Sequence, residues 1–332
     1  MKKKFLSCIL AACISLALPF AFTGCKGDDS VIKINEVTHS VFYAPMYLAD
    51  ALGYFKDEGY KIELENGGGA NNTMAAVLSG SADVGFCGPE AAIYTYIGGD
   101  EDAPKVFGQM TNRDGSFLVG RTAEPDFDWH SLDGKDVLAG RPGGVPMMTF
   151  QYVMKELGVK PNYITNIDFN FMTSSFQGGT ADYCTMFEPV ASDYEKAGSG
   201  YVVGSVGALA GEIPYTCYIA KQSYIDNNGD KIEALLRAVT KATKYIYEND
   251  SLTVAEKIVG YFPNTSVDSV KTSLDSYKGI DSWVTNMAMK ESGFNRLQDI
   301  IESAGELSQR VNFSDLVLTE TAQKIYNEVY AK

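Results

Sequence analysis

The sequence predicts an α/β protein with two lobes, one inserted into the other, and a helical C-terminal tail. Segments typical of strands alternate with segments typical of helices from residue 31 to residue 110. A second alternating set follows the acidic, proline-containing stretch at 122–134, and the pattern is almost wholly helical from residue 230 onward. Such alternation indicates parallel βαβ units. Two sets imply two lobes with a cleft between them, where ligands of open α/β sheets bind.

The first set contains four predicted strands joined by three predicted helices. The strands are predicted at 31–37, 60–65, 82–87 and 104–110. The helices are predicted at 44–56, 71–79 and 90–97. We therefore expect one parallel sheet in this part of the chain.

The second set is predicted to form the inserted lobe. Its strands are predicted at 135–140, 167–172, 181–187 and 201–206, and its helices at 145–157 and 189–197. A return strand at 215–220 leads back to the first lobe, so the chain crosses between lobes near 111–120 and 207–215. We expect lobe 1 to comprise 31–115 and 212–332, and lobe 2 to comprise 116–211.

The N-terminus has the pattern of a secretory signal. Three lysines at 2–4 precede an apolar run at 5–22, and the chain becomes polar after Cys25. This pattern predicts a signal peptide at 1–24 and a tether at 25–30, and it resembles that of a bacterial lipoprotein. Lipidation of Cys25 would anchor the protein to the outer face of the cytoplasmic membrane. A plain cleaved signal and an uncleaved anchor stay open as alternatives.

The charge of the chain argues against nucleic acid as a partner. The formal net charge of −14 becomes −17 without the three lysines of the signal. Phosphate binding requires clustered Lys and Arg, and the sequence has no long basic cluster. After the signal, no apolar run approaches the ~18 residues of a membrane span. We therefore expect a soluble extracytoplasmic body.

The cysteine and histidine content predicts neither a metal site nor a cofactor. Cys87, Cys184 and Cys217 follow the lipidation position without CxxC spacing, so neither a zinc site nor a disulfide framework is indicated. His39 and His130 are the only histidines of the chain, which weakens a metal-hydrolase or Ser-His-Asp hypothesis. Counting residues does not exclude catalysis by carboxylates.

Four motifs resemble one family of transport proteins. They are "YAPMYLADALGYFKDEGYKIEL" at 43–64, "VLSGSADVGF" at 77–86, "SLDGKDVL" at 131–138 and "FEP" at 187–189. The chain resembles the substrate-binding lipoproteins of ABC importers, of the SsuA/THI5-like (NMT1) family, over about residues 31–250. The resemblance implies a type II periplasmic-binding-protein-like fold, a small-molecule solute, and a permease with its ATPase as partners.

The resemblance places the loop after the first strand on the floor of the cleft. Its predicted ligand-binding residues are Thr38, His39, Phe42 and Tyr43. Aromatic faces at this position would stack on a planar solute, and free N–H groups at the helix start would bind its oxygen atoms. The alternative for the aromatic residues is packing in the core.

The remaining predicted contacts follow other strands of the two lobes. Glycines and small polar residues at these positions let a ligand approach the backbone closely. In lobe 1 these residues are Asn71, Asn72, Cys87 and Gly88. In lobe 2 they are Arg141, Gly143, Gly144, Val145, Ser174 and Ser175. Helix capping and turn geometry are alternative explanations for several of them.

A carboxylate at Glu188 is predicted to select the solute. Facing the cleft, it would discourage an anion and accept hydrogen bonds from an amino-heterocycle. The resemblance supports this role, since pyrimidine binders of the family carry a Glu at the matching position. The alternative is a glutamate favoured at a helix start by the helix dipole.

The stretch "GRPGGVPMMTF" at 140–150 also bears on the solute. Sulfonate binders of the family tend to offer hydroxyls here, whereas this chain has Val145, Pro146 and Met147. The departure favours a flat, weakly charged molecule such as a thiamine pyrimidine precursor. An alkanesulfonate, nitrate or taurine is the alternative.

An enzyme is the hypothesis of another class. Some THI5-like proteins are pyrimidine synthases that consume their own histidine and carry a cysteine-rich iron-binding segment. This chain has Tyr43 where that histidine would align and Cys217 alone where the cysteines would lie. We therefore predict a binding protein and no enzymatic activity.

The anchoring hypothesis predicts the outcome of one substitution. Cys25→Ala should release the protein from the membrane fraction or leave it unprocessed, because lipidation requires the thiol. Fractionation of cells followed by mass measurement of the N-terminus checks this. The sequence "LAAC" at 10–13 offers a second possible lipidation motif. Unchanged membrane retention with processing at Cys13 would show that the cleavage site is misplaced.

Overall fold

The computed structural model describes residues 29–331 and contains two α/β sheets. The predicted signal peptide, Cys25 and most of the tether lie outside these residues. Within 29–331, no helix combines the length and the apolar character that crossing a bilayer requires. The two-sheet architecture with a helical C-terminal tail confirms the predicted fold class.

The first sheet has five strands in the order β2-β1-β3-β10-β4. Strand β1 pairs in parallel with β2 and β3, whereas β10 runs antiparallel to β3 and β4. The bounds are β1 Val31–Glu36, β2 Lys61–Asn66, β3 Val84–Cys87, β4 Pro104–Thr111 and β10 Thr216–Lys221. Every residue of β3 is buried, which fits its central place and its continuous apolar sequence.

The second sheet repeats this arrangement in the order β7-β6-β8-β5-β9. Strand β6 is parallel to β7 and β8, and β5 is antiparallel to β8 and β9. The bounds are β5 Ser116–Gly120, β6 Asp136–Leu138, β7 Asn162–Tyr163, β8 Tyr183–Phe187 and β9 Tyr201–Ser205. In the sequence, all five strands of this sheet fall between β4 and β10 of the first sheet.

The α-helices connect the strands and form the tail. In the part of the first lobe before β5 they are α1 Ala44–Ala51, α2 Tyr54–Asp57, α3 Ala70–Ser79 and α4 Glu90–Ile97. Around the second sheet they are α5 Val145–Glu156, α6 Met172–Gln177, α7 Val190–Lys196 and α8 Val206–Ala210. The C-terminal helices are α9 Gln222–Asn227, α10 Gly229–Glu248, α11 Ser251–Ile258, α12 Val267–Gly279, α13 Glu291–Ser303, α14 Phe313–Leu316 and α15 Glu320–Tyr330. Short 3₁₀ helices span Val41–Tyr43, Trp129–Leu132, Phe169–Phe171 and Val259–Tyr261.

Helix α10 packs its apolar face against α1, α2 and α15, because its apolar residues recur at helical spacing. Leu235, Leu236 and Val239 are completely buried. On the other side of the helix, Arg237 and Lys241 bind the two carboxylate oxygens of Glu58, at N–O distances of 2.8 Å and 2.7 Å. The tail is therefore fixed to the first lobe by both apolar packing and ion pairs.

Two helices of the tail also reach the second lobe. In α12, the Ser269 hydroxyl donates to Asp193 at 2.8 Å, and Lys196 of the second lobe pairs with Asp268 at 3.0 Å. Helix α13 packs against α5, and Lys155 donates to the Ser303 hydroxyl at 3.0 Å. The tail thus contacts both lobes.

The chain passes between the sheets at 112–115 and 206–215. Asp114 in the first crossing is completely buried. Its Oδ1 accepts hydrogen bonds from the backbone N–H and the hydroxyl of Ser116, at 2.7 Å and 2.6 Å. Among residues 29–331, its Oδ2 has no partner at hydrogen-bond geometry, and the nearby Tyr215 hydroxyl interacts with the carboxyl and lowers its pKa. Burial raises the pKa of Asp114 from 3.8 to about 7, so this crossing contains a carboxyl group that is costly to ionise.

Most predicted elements are present with shifted ends, but one prediction is wrong. Residues 167–172 form a 3₁₀ helix and the start of α6 instead of a strand. The side chain of Asp168 accepts from the N–H of Asn170 and begins that helix, a local signal that competes with the alternating apolar pattern. Strands β5 and β7 and helix α8 were not predicted. The predicted helix 44–56 is divided at Gly53, which has a φ of 74°.

The raised pKa of Asp114 predicts how stability changes with pH. The folded pKa is above the unfolded one, so the neutral carboxyl stabilises at low pH, and this stability is lost as pH rises from about 4 to about 7. The loss amounts to at most about 1.4 kcal/mol per pH unit. Asp114→Asn keeps an accepting oxygen for Ser116 and removes the titration. Urea unfolding at pH 5 and pH 8 should show a smaller decrease for the variant. Parallel decreases in both proteins would contradict the assignment.

Candidate functional site

A cavity of about 120 Å³ lies between the two sheets. On the first-sheet side, residues at strand ends and helix starts form its wall: Val37, Thr38, Tyr43, Gly68, Gly69, Ala70, Gly88, Glu90, Tyr215 and Thr216. On the second-sheet side the wall comprises Arg141, Gly144, Val145, Pro146, Asp168, Phe169 and Phe187. We call this space the inner cavity. Its position matches the cleft that the sequence predicts.

Aromatic side chains from both lobes line the inner cavity. Tyr43 packs edge-on against Phe86, with ring centroids 4.6 Å apart, and its hydroxyl interacts with Thr216. Burial raises the pKa of Tyr43, so its hydroxyl stays protonated. Phe169 and Phe187 of the second lobe meet in a T-shaped contact with centroids 6.5 Å apart. The cavity therefore offers apolar walls on both sides.

Glu90 places a carboxylate in the wall of the inner cavity. It is 3% exposed and is the first residue of α4, directly after the turn that ends β3. Burial raises its pKa from 4.5 to about 7, opposed by backbone N–H groups, including that of Val145, and by the charge of Arg141. Within residues 29–331, its Oε2 has no hydrogen-bond partner.

The start of α5 forms the opposite wall. Gly144 occupies the N-cap position without a side-chain hydrogen bond, and Pro146 lies in the first turn. Residues 144–146 of this turn line the cavity, and the start of the helix carries the positive end of the helix dipole. Arg141 precedes the helix, and its Nη2 lies 3.5 Å from Oδ1 of Asn71 across the cleft.

A second space of about 190 Å³ adjoins the inner cavity. Thr38, Phe169 and Phe187 line both spaces, so the two rings separate them. We call this space the outer cavity. His39, Ser40 and Glu188 are among the residues that line it.

His39 is held by two partners beside the outer cavity. Its Nδ1 lies 2.6 Å from Oε1 of Glu36, and its Nε2 donates to the carbonyl of Tyr261 at 2.9 Å. The hydrogen bond to Glu36 raises the pKa of His39 despite the opposing effect of burial. Both ring nitrogens are occupied, so His39 offers a ligand only its ring surface.

Glu188 connects the two lobes instead of facing the inner cavity. Its carboxylate accepts from the backbone N–H of Ser192 at 3.0 Å, from the Ser192 hydroxyl at 2.7 Å and from the Ser276 hydroxyl at 3.2 Å. Its carbonyl accepts from Ser40 at 2.9 Å, and its N–H donates to the Tyr277 hydroxyl at 3.0 Å. These bonds use the acceptors that an amino-heterocycle would need. The alternative explanation, a helix-start glutamate, fits the geometry better.

The structure brings some of the predicted site residues to the inner cavity: Thr38, Tyr43, Gly88, Arg141, Gly144 and Val145. It places others at the outer cavity: Thr38, His39 and Glu188. The linings of the two cavities do not include Phe42, Asn71, Asn72, Cys87, Gly143, Ser174 and Ser175. Their role as ligand contacts stays a prediction, and the local structure explains why they lie outside the two linings.

Phe42 and Cys87 are completely buried core residues. The Phe42 ring packs on Tyr277, with centroids 4.8 Å apart, and fills the space above Gly115. Cys87 lies opposite Cys217 of the neighbouring antiparallel strand, and both cysteines are free thiols. Phe42 is buried because it belongs to a buried 3₁₀ helix. Cys87 is buried because it ends the central strand β3.

The predicted Asn and Ser contacts lie on helices that place them outside the two cavity linings. Asn71 and Asn72 lie exposed on the first turn of α3, and the preceding residues 68–70 line the cavity instead. Ser174 and Ser175 belong to α6, since the predicted strand before them is a helix, and Ser174 donates to the carbonyl of Phe171. The carbonyl of Gly143 accepts from Tyr94 at 3.3 Å.

Sequence reasoning missed several residues of the inner cavity, among them Glu90, Phe169, Phe187 and Tyr215. Phe187 ends a predicted strand and Tyr215 begins one, so the strand-end rule that selected Gly88 applied to both. Glu90 follows Gly88 by two residues in the quoted motif. Within residues 29–331, no group of three His, Cys, Asp or Glu side chains is arranged to hold a metal ion.

Two relatives in sequence carry different names. A Bacillus subtilis (strain 168) protein named "Putative binding protein YtlA" is 37% identical over 324 residues, covering 96% of this chain and 97% of the relative. A 4-amino-5-hydroxymethyl-2-methylpyrimidine phosphate synthase from Aspergillus parasiticus is 24% identical over 235 residues, covering 66% of this chain and 67% of the synthase. The first similarity spans nearly the whole chain.

A solved structure shares the fold. The ligand-binding component of an ABC-type import system from Staphylococcus aureus, with zinc bound, has a TM-score of 0.71 at 18% identity. The similarity covers 91% of this chain and 100% of that one. The prediction of a two-lobed periplasmic-binding-protein-like fold is therefore confirmed.

A protein-family model connects these similarities. The model described as "NMT1/THI5 like" matches residues 41–251, which include strands of both sheets and all residues of the inner-cavity walls except Val37 and Thr38. The chain belongs to the NMT1/THI5-like family.

Proposed function

We propose that this chain is the extracytoplasmic solute-binding protein of an ABC importer. It captures a small organic solute between lobe 1 (31–115 and 212–332) and lobe 2 (116–211) and delivers it to a permease with its ATPase. The observation that carries this proposal is the inner cavity, which is enclosed by residues of both lobes. The binding role of the named relative that spans nearly the whole chain supports the same function.

The proposed solute is aromatic or heterocyclic, such as a thiamine pyrimidine precursor. Tyr43, Phe169, Phe187 and Tyr215 line the inner cavity and would contact the faces or edges of a planar ring. The volume of about 120 Å³ is below the ~300–1,000 Å³ of pockets for drug-sized ligands. The enclosed solute is therefore about as large as a single substituted ring. The names of the distant synthase relatives, which mention a pyrimidine, agree with this class.

Lipidation of Cys25 would place the protein beside its permease at the outer face of the membrane. A pyrimidine synthase is the second candidate, favoured only by the 24% identity to the fungal enzymes. Incubation with a pyridoxal cofactor and iron tests it, since product formation would support the enzyme. Tyr43 at the expected histidine position argues against that activity.

Solute binding should stabilise the protein and compact it. A solute at 100 times its Kd adds about 2.7 kcal/mol to the free energy of unfolding, which a thermal-shift screen detects readily. The screen should include thiamine pyrimidines, riboflavin, sulfonates, nitrate and amino acids. Small-angle scattering with the best solute should show a decrease in the radius of gyration, because the lobes close around it.

Absence of any thermal shift across this panel would count against the proposed solute classes. A shift without compaction has one specific explanation, a closed conformation before the solute binds. Comparing the scattering profiles of the solute-free and the solute-bound protein with the profile calculated from the present structure distinguishes that case.

Phe187→Ala should weaken aromatic solutes by on the order of 1 kcal/mol or more. The ring borders both cavities, and its removal eliminates a stacking or edge contact that is insensitive to ring substituents. Phe171→Ala is the matched control, since that ring is 64% exposed and lines neither cavity. Calorimetric titration of both variants with the best aromatic solute measures the effect. Equal losses in the two variants would place the aromatic contact elsewhere.

A further inference from the structure

Glu90 occupies the position where a helix start would otherwise receive an anion. We propose that Glu90 is the specificity-determining residue of the inner cavity and accepts a hydrogen bond from an amino N–H of the solute, which excludes anions. The inference rests on the proposed function and names the solute class: a small ring that bears an amino group.

The first step of the argument is the placement of the carboxylate. Glu90 begins α4, and backbone N–H groups of Glu90 and Ala91 interact with its side chain. The carboxylate folds back over Gly88, where a Cβ atom would overlap it. Glycine at position 88 therefore leaves the space that lets the carboxylate turn into the cavity wall.

The second step is the contact across the cleft. The backbone N–H of Val145, at the start of α5, lies close enough to the Glu90 carboxylate to lower its pKa. The starts of α4 and α5 thus converge on one buried carboxylate from opposite lobes. Helix N-termini of this kind bind sulfonate, phosphate or carboxylate groups. In this chain the protein's own carboxylate fills that role.

The third step concerns the carboxylate oxygen of Glu90 that has no hydrogen-bond partner. The Oε2 atom of Glu90 is buried and, among residues 29–331, has no hydrogen-bond partner. An unsatisfied buried acceptor is costly, and a donor on the solute would remove that cost. An anionic solute would instead place a second negative charge against the first, which is unfavourable in a site with little water.

The remaining charges of the inner cavity agree with this preference. Asp168 adds a second carboxylate to the wall, and Arg141 adds one guanidinium. Arg141 lies close enough to Glu90 to favour its charged form. The lining therefore carries two negative charges and one positive charge when Glu90 is ionised. A net negative wall suits a solute that donates hydrogen bonds or carries a positive charge.

The test compares the wild type with Glu90→Gln at pH 8, where most of the Glu90 carboxyl is ionised. The glutamine keeps one oxygen for Val145 and replaces the free acceptor with an NH₂ donor. The probes are 4-aminopyrimidine, pyrimidine and benzenesulfonate, and calorimetry measures their affinities. Glu306→Gln is the matched control, because Glu306 lies near the start of α5 but outside the lining of the inner cavity.

The wild type should bind 4-aminopyrimidine at least tenfold more tightly than pyrimidine or benzenesulfonate. Glu90→Gln should remove this preference, with a tenfold or greater loss for 4-aminopyrimidine and equal or stronger binding of benzenesulfonate. Glu306→Gln should behave as the wild type. A wild type that binds pyrimidine equally well, or that prefers an anion, overturns the inference and leaves the proposed function intact. If Glu90→Gln keeps the preference for 4-aminopyrimidine, the inference is also overturned and the proposed function is left intact.

Failure of the proposed function gives a different result. In that case the wild type binds neither these probes nor any member of the broader solute panel. Thermal unfolding of each variant without solute shows whether it folds. If Glu90→Gln is unfolded, Glu90→Asp replaces it. Because aspartate is shorter, it withdraws the carboxylate from the cavity, and the preference for 4-aminopyrimidine should again fall at least tenfold.

Discussion

The hydroxyl of Tyr277 joins three parts of the chain that are far apart in sequence. It accepts a hydrogen bond from the backbone N–H of Glu188 at 3.0 Å and donates to the carbonyl of Gly115 at 3.2 Å. Tyr277 belongs to the tail, Gly115 to the first crossing between the sheets, and Glu188 to the second lobe. The side chain is completely buried, so loss of this hydroxyl would leave backbone polar groups without partners. The relative position of the two sheets depends on this contact.

The tail that contains Tyr277 therefore helps to hold the two lobes around the cleft. Helices α12 and α13 contact the second lobe at two places, beside α7 and beside α5. Separation of the lobes must break or slide these contacts in addition to those within the cleft. The tail also contributes Trp283, whose indole N–H donates to the carbonyl of Phe42 at 2.7 Å beneath the cleft floor. A region without a recognisable motif thus supports the site through packing and hydrogen bonds.

The sequence predicted the elements well where one local signal dominated. Helix α5 was predicted at 145–157 and spans Val145–Glu156, because Gly144 and Pro146 mark its start and its apolar spacing is regular. The strand predicted at 167–172 is wrong because Asp168 begins a helix there, and this signal competes with the alternating apolar pattern. Strand β5 escaped prediction because it lies within a crossing segment, where only its pairing with β8 and β9 reveals it.

Some of the predicted site residues line the inner cavity, and others do not. Strand ends located the cleft, and Tyr43, Gly88 and Val145 do lie at the inner cavity. The predicted carboxylate, Glu188, has its oxygens satisfied by serines, one of which comes from a helix about 90 residues away. No sequence pattern reports such a distant partner. The orientation of Glu90 likewise depends on a contact with Val145 in the other lobe.

The order of the strands has a consequence for how the chain folds. All five strands of the second sheet come from one continuous segment, 116–205. Among the strands of the first sheet, β4 pairs with β10 alone, and β10 begins at Thr216. Until that residue is available, β4 has no strand partner, and seven of its eight residues are ones that the folded chain buries, so this segment can promote aggregation. The inserted lobe can therefore form early, whereas the first lobe is exposed to misassembly until the return strand closes it.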